Sequence, residues 1–411
     1  MKYVLVIGDG MADNPLQELG GKTPLQFAEI PVMDRLASAG MLGEVRTIPE
    51  GMPAGSDTAI LSIFGCDPSV CYTGRAPLEA AASGITLSPG DVAYRCNMVT
   101  FEDEAPSFED KRIISHSAGA VEGGVANELI AELFDTPAFR QAASGAGIVI
   151  YPGSSFRHLA VQKTPDIAGM KLMPPHDHLG ETVGQNLPCG CENAVVLDGL
   201  MRLAHEILDR HTINDKRRSE GKLPANGIWF WAEGTAVELP DFTEQYGKSG
   251  GIISAVPLCL GIGTLIGLDT ISVDGATGEL NTNYEGKVGA VFDALKTGEF
   301  VAVHIEAPDE CSHAGDIKGK LQAIEWLDSR VVEPLISGLD KTGENYRMLI
   351  LSDHKTLLST GGHDGTPVPY IIYDSRLDRK SGFAFCESDA AYGRYIAEGT
   401  ELMGLLFEAE R

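Results

Sequence analysis

The sequence predicts an α/β protein: a mostly parallel sheet with helices on both faces, carrying a smaller inserted α/β domain. Two observations lead there. Strand-like apolar runs alternate with helix-length intervals toward both ends of the chain, the order that lets crossovers cover both faces of a parallel sheet. Between about residues 100 and 245 the texture changes to loops rich in Pro and His, with short strand-like runs among helical ones. The expected division is a metal-binding core of residues 1–90 and 245–411 and a substrate-binding insert of residues 91–244. A length of 411 residues accommodates two or three domain-sized units, or one large unit with an insertion.

Taken in order, residues 2–7 form a β-rich run that stops at Gly8-Asp9-Gly10. A buried parallel strand would put Asp9 at the carboxyl edge of the sheet, where open α/β sheets place ligands. Capping of a following helix is the alternative use of that carboxylate. Residues 31–39, opened by Pro and closed by Gly40, read as a helix. The turn-rich loop of residues 49–58 runs into an apolar segment, so Ser56 sits just before a helix start. There it is a candidate nucleophile, favoured by backbone N–H groups that stabilise an anion, or a plain N-cap.

In the insert, residues 147–151 and 228–231 read as strands and residues 193–210 as a helix. Sheet texture returns at residues 252–256, followed by a helix at 285–296 and a strand at 300–305 leading to Asp309. Leu321, Ile324, Leu327, Val331 and Leu335 recur at three- and four-residue spacing, the mark of a helix with one buried face. Residues 347–351 form the next strand, and residues 390–406 are expected to form a closing helix. No repeat with a period of about 20–50 residues is present.

Composition narrows the partners. A formal charge of −26 disfavours nucleic acid and anionic membrane, both of which need basic surface. A small anionic substrate stays open, because a few local cations can dominate a pocket. The apolar run at the N-terminus is too short for a signal-peptide core or a membrane span, so a cytoplasmic protein is expected. The eight cysteines are scattered, which in a chain this long reads as reduced thiols.

The chemistry concentrates in residues 301–369. Asp309 and His313 are four apart, Asp353 and His354 are adjacent, and His363 follows a Gly pair. Carboxylate and imidazole together suit Mn²⁺ or Zn²⁺ better than Ca²⁺, which prefers oxygen alone. With Asp9 they make most of a two-metal site, in which cations about 3.5–4 Å apart clamp a phosphoryl group. Three carboxylates leave such a centre net positive, and neutral imidazoles add affinity without cancelling that charge. Each residue alone also has an ordinary use, as a turn cap, a surface group or a satisfied core histidine.

Other motifs carry less. The glycines between Gly261 and Gly267 lack the G-x-G-x-x-G spacing, and no phosphate-binding G-x-x-x-x-G-K-[ST] loop is present. His176-Asp177-His178 lies in a Pro-flanked loop suited to substrate or solvent. Cys189-Gly190-Cys191 has no second pair at zinc spacing.

Met1 to Asp13, Gly55-Ser56-Asp57-Thr58, Tyr72-Thr73-Gly74-Arg75, Glu306 to Gly315, Ser352-Asp353-His354 and His363 through Pro369 together resemble a known family. It is the archaeal-type cofactor-independent (2,3-bisphosphoglycerate-independent) phosphoglycerate mutases of the alkaline phosphatase superfamily. The similarity spans almost the whole chain. It implies an alkaline-phosphatase-like fold and two divalent ions, Mn²⁺ first, with Zn²⁺, Mg²⁺ or Co²⁺ as alternatives. One ion would be held by Asp309, His313 and His363, the other by Asp9, Ser56, Asp353 and His354. Ser56 would be the nucleophile, taking the phosphoryl group of 3-phosphoglycerate and returning it as 2-phosphoglycerate, while the insert binds the glycerate and shuts out water. By the same analogy Arg157, His158 and Lys248 are candidate substrate contacts, with Arg75, Arg95, Asn97 and His116 beside them.

One departure bears on the substrate. Family members usually carry a segment similar to D-R-R-A-G-R where this chain has Ser115-His116-Ser117-Ala118-Gly119-Ala120. Losing guanidiniums removes bidentate recognition of carboxylate or phosphate. The chain also looks like bacterial paralogues proposed as homoserine kinases, so a phosphotransferase or phosphohydrolase acting on another small hydroxy metabolite is the alternative.

Overall fold

A computed structural model describes residues 1–408 and divides them into two units: Met1–Tyr72 with the chain from Glu238 onward, and Thr73–Val237. The strands are β1 (Lys2–Gly8), β2 (Met41–Val45), β3 (Val92–Phe101), β4 (Ile113–Ser115), β5 (Ile148–Tyr151), β6 (Arg157–Gln162), β7 (Gly227–Thr235) and β8 (Gly250–Ile253). They continue as β9 (Asp269–Ile271), β10 (Phe300–Ile305), β11 (Tyr346–Leu351), β12 (Lys355–Leu357), β13 (Gly362–Asp364), β14 (Val368–Asp374) and β15 (Arg394–Ile396). The helices used below are α1 (Pro31–Ala39), α2 (Ser56–Ile63), α3 (Arg75–Ala82), α4 (Gly123–Asp135), α5 (Pro137–Gly145) and α6 (Glu192–Leu208). After them come α7 (Tyr284–Ala294), α8 (Ala307–His313), α9 (Ile317–Trp326), α10 (Glu333–Thr342) and α11 (Leu402–Phe407).

The first unit holds an eight-stranded sheet in the order β15-β2-β14-β11-β1-β10-β8-β9. The run from β11 to β9 is parallel, and β14 is antiparallel to both its neighbours. Val4, Leu5, Val6 and Ile7 of β1 and Val301, Ala302 and Val303 of β10 are all fully buried. Strands apolar on both faces, rather than alternating, are those of a sheet covered on both sides. Helix α1 buries Met33, Leu36 and Ala37, one stripe at helical spacing. The amphipathic helix expected around Leu321–Leu335 forms as α9, a π-helical turn over Leu327–Val332, and α10. Pro334 lacks the N–H that would continue the α ladder, which accounts for the change of register just before it.

The closing helix expected over residues 390–406 does not form as such. Strand β15 adds to the sheet edge beside β2, between a short helix that ends at Ala390 and the helix Leu402–Phe407. Gly393 allows this, since a Cβ there would lie 2.1 Å from the Leu42 carbonyl oxygen of β2.

The second unit is built on an antiparallel sheet, order β4-β3-β6-β5, with β7 on the other side of β3. On one face Leu129, Leu133, Phe139, Leu197 and Met201 of α4, α5 and α6 pack with Tyr94, Cys96 and Met98 of β3. On the other, Ala76 and Ala80 of α3 meet Ala93. That small-residue contact ties α3 to this unit, although the sequence division placed it with the core. All eight cysteines are free thiols, and no helix among the described residues is long and apolar enough to cross a membrane.

Candidate metal centre

Parallel register brings three loops together. On β1, Gly8 pairs with Ile305 of β10 and Ile7 with Leu351 of β11, so all three strands end at one level. Asp9 follows β1 directly, Asp353 and His354 follow β11, and α8 begins two residues after β10. On α8, Asp309 and His313 are one helical turn apart and share a face. His363 comes from β13, opposite Thr356 of β12. Ser56 is the first residue of α2; Gly55 holds the N-cap position and has no side chain to cap that end, while Asp57 Oδ1 accepts from the Thr58 amide at 3.0 Å. The hydroxyl is therefore not consumed as a cap.

The side chains converge in two groups that share Asp309. In the first, His313 Nε2 lies 3.2 Å from Asp309 Oδ2 and 3.0 Å from His363 Nε2, which is 3.4 Å from Asp309 Oδ1. In the second, His354 Nε2 lies 3.0 Å from Ser56 Oγ and 3.4 Å from both Asp9 Oδ1 and Asp353 Oδ2. The far nitrogen of each ring fixes its tautomer. His313 Nδ1 meets the Gly361 carbonyl at 2.7 Å and His363 Nδ1 the Ala54 carbonyl at 3.3 Å, and a carbonyl only accepts. His354 Nδ1 lies 3.2 Å from Thr356 Oγ1, whose proton is given to Asp309 Oδ1. Each Nδ1 therefore donates, and Nε2 is the atom each ring presents to the carboxylates, where it carries a proton or offers a lone pair to a cation.

Charge is crowded here. Burial, then the like charges of Asp353 and Asp309, hold Asp9 well above the usual carboxylate range. Burial also pushes Asp309 up, but hydrogen bonds from His313 and His363 outweigh it and hold that carboxyl low. Asp9 Oδ1 and Asp353 Oδ2 are buried without a hydrogen-bond partner. Imidazole nitrogens, orphaned carboxylate oxygens and a hydroxyl form a donor set that fits divalent cations.

The sequence reading missed the groups that hold this set in place. Gly10 has φ +59°, and a Cβ on it would lie 2.3 Å from Thr356 Oγ1 and 2.7 Å from Asp309 Oδ1, so glycine is required. The Gly10 and His354 amides both donate to Asp353 Oδ1, at 3.1 and 2.9 Å. Beneath them a fully buried Lys320 donates to Asp13 Oδ2 at 2.9 Å and to the Thr356 carbonyl at 2.7 Å, joining the loop after β1 to β12. Thr356 had a faint signal, standing two residues beyond His354. Asp13 and Lys320 had none.

Comparison with known proteins adds the lineage. The family model described as 2,3-bisphosphoglycerate-independent phosphoglycerate mutase matches residues 37–214. A protein of Methanosarcina barkeri named 2,3-bisphosphoglycerate-independent phosphoglycerate mutase is 44% identical, over 100% of both chains. The chain belongs to that mutase family. A Geobacter sulfurreducens relative named as a probable enzyme of the same kind is 43% identical over 99% of this chain and 100% of its own. The solved structure of PH0037 protein from Pyrococcus horikoshii superposes with a TM-score of 0.81 at 31% identity, covering 100% of this chain and 98% of that one.

The remaining candidates of this mutase-family chain separate. Arg75, Arg95 and Arg157 gather around one carboxylate in the second unit. Glu79 accepts from Arg95 Nε at 2.8 Å and Arg75 Nε at 3.1 Å. Burial raises Glu79, but Arg95, Arg75 and Arg157 bring it below its usual value. Burial of the guanidinium, then the Arg95 charge, pushes Arg157 down to about 10 although the residue keeps solvent contact, and among the described residues no carboxylate pairs with it. Asn97 accepts from Trp231 Nε1 at 3.0 Å and donates to the His116 carbonyl at 2.9 Å. His176, set aside with its loop, stacks edge-on to Trp231 at 5.1 Å and to His116 at 6.0 Å, and Arg95 lies 4.7 Å over the same Trp231 ring.

Two residues do not join. His158 opposes Cys96 and so faces the helix-covered core, fully buried, with Nδ1 accepting from the Gly153 amide at 3.0 Å. Successive strand residues point to opposite faces, so Arg157 and His158 cannot both serve one pocket. Lys248 precedes β8, at the amino end of the sheet, and pairs with Glu299 at 3.0 Å. The candidate metal ligands lie past the carboxyl ends of the same parallel strands.

Proposed function

We propose that this chain interconverts 3-phosphoglycerate and 2-phosphoglycerate through a phosphoserine at Ser56, with a pair of divalent ions, Mn²⁺ foremost, in the Asp/His cluster. The observation that carries the reading is the Ser56 hydroxyl, uncommitted to capping and 3.0 Å from His354 Nε2 in the middle of the donor set. The mutase names of full-length relatives at 43–44% identity supply the reaction.

Asp309, His313 and His363 would hold one ion, and Asp9, Asp353, His354 and Ser56 the other. When bound, the cations would neutralise phosphoryl oxygens and make the serine hydroxyl easier to deprotonate. Ser56 Oγ then bonds to phosphorus as the bond to the carbon-3 oxygen breaks, and the serine proton is balanced by one gained at that oxygen. Return of the phosphoryl group to the neighbouring hydroxyl reverses the same exchange and restores Ser56. No other reactant is consumed. The arginine cluster of the second unit has the chemistry to bind a small carboxylate, which planar guanidiniums grip by two hydrogen bonds.

An enolase-coupled assay with purified protein and Mn²⁺ tests the reading. Formation of 2-phosphoglycerate from 3-phosphoglycerate is expected. Silence in that assay, with phosphate released or transferred from other esters, would replace the mutase with a phosphotransferase or phosphohydrolase.

A further inference from the structure

His304 stands alone as a polar residue in the apolar run of β10, 1% exposed, and none of the chemistry above uses it. Its Nε2 lies 2.9 Å from Asp9 Oδ2 and its Nδ1 3.2 Å from Ser254 Oγ. Ser254 follows β8, and its hydroxyl oxygen accepts from the Val256 amide at 3.0 Å. Its proton is thus free to be given to His304 Nδ1. Ionised, as a metal ligand is, the Asp9 carboxylate only accepts, so Nε2 then carries the hydrogen and donates to it. The buried Lys287 ammonium donates to the His304 carbonyl at 3.0 Å and fixes the backbone from behind.

We propose that His304 is a positioning residue: it clamps Oδ2 of Asp9, the oxygen that Ser56 Oγ also approaches at 3.5 Å, so that Oδ1 faces His354, and Ser254 sets its tautomer. Asp9 Oδ1 is the oxygen left buried without a partner, 3.4 Å from His354 Nε2. Holding a carboxylate by its far oxygen sets the direction and basicity of the near one, and loss of such a contact typically costs about 10–100-fold in metal affinity. The proposal rests on the metal reading of the Asp9 group.

Calorimetric titration of chelator-stripped protein with Mn²⁺ separates the two ideas. Wild type should bind two ions. His304→Ala should weaken one by about 10–100-fold and leave the other, at Asp309, His313 and His363, unchanged. His304→Gln, whose amide reaches the same point as Nε2–H, should recover most of the loss. Ser254→Ala should fall between, because the ring is then free to take the wrong tautomer. Equal affinities in His304→Ala and wild type would overturn the role of His304 alone. Parallel weakening of both ions without rescue by Gln would make the residue merely structural and overturn it too. Absence of Mn²⁺ binding by wild type would remove the metal reading and the proposal with it. Should His304→Ala fail to fold, the Gln and Ser254 variants still decide.

Discussion

The two units gather charge of opposite sign by different geometry. In the first, Asp9, Asp309 and Asp353 collect past the ends of adjacent parallel strands with three imidazole nitrogens among them. In the second, three guanidiniums surround one glutamate on a face of an antiparallel sheet. Strand ends recruit residues from distant sequence, yet each piece is a short local signature, a run of apolar residues closed by Asp. Strand faces recruit alternate residues, so the identity of the neighbour in sequence says little. The anionic cluster suits cations and the cationic one suits a small acid, a division of labour that substitution can test.

The largest expected effect is Ser56→Ala, which should lower turnover by about 10⁴-fold or more and leave Mn²⁺ stoichiometry unchanged. Residual turnover near wild type would show that the hydroxyl is a bystander of the anionic cluster. Next is Asp13→Ala. It strands the buried Lys320 ammonium beneath the loops of the Asp/His cluster, and breaking such a pair costs about 3–5 kcal/mol, read as a fall in Tm. A Tm within a degree of wild type would mean that the Lys320 link does not hold those loops. Arg157→Ala comes third, with kcat/KM lower by about 10–100-fold, the value of a charge-assisted contact, and Mn²⁺ affinity untouched. Weaker Mn²⁺ binding in that variant would erase the contrast between the clusters. His176→Ala should raise KM only a few-fold, as for a neutral hydrogen bond. A loss as large as that of Arg157→Ala would make His176 an equal partner and sharpen the contrast.

The sequence by itself determined the fold class and the six metal-ligand candidates with Ser56. Apolar runs long enough to be buried on both faces specify a parallel sheet, and Asp or His placed just past them has few structural uses. It did not determine which faces residues occupy. Arg157 and His158 looked equivalent until pairing with Asn97 and Cys96 sent them to opposite sides of β6. Nor could it place Lys248, because a lysine before a strand reads the same at either end of a sheet. The edge strand β15 and the adoption of α3 by the second unit followed from close backbone approach and small-residue packing, which only assembly creates. Gly10, Thr356, Ser254, His304 and Lys320 belong to the same class. They act through contacts with residues far away in the chain, and a contact exists only once both partners are in place.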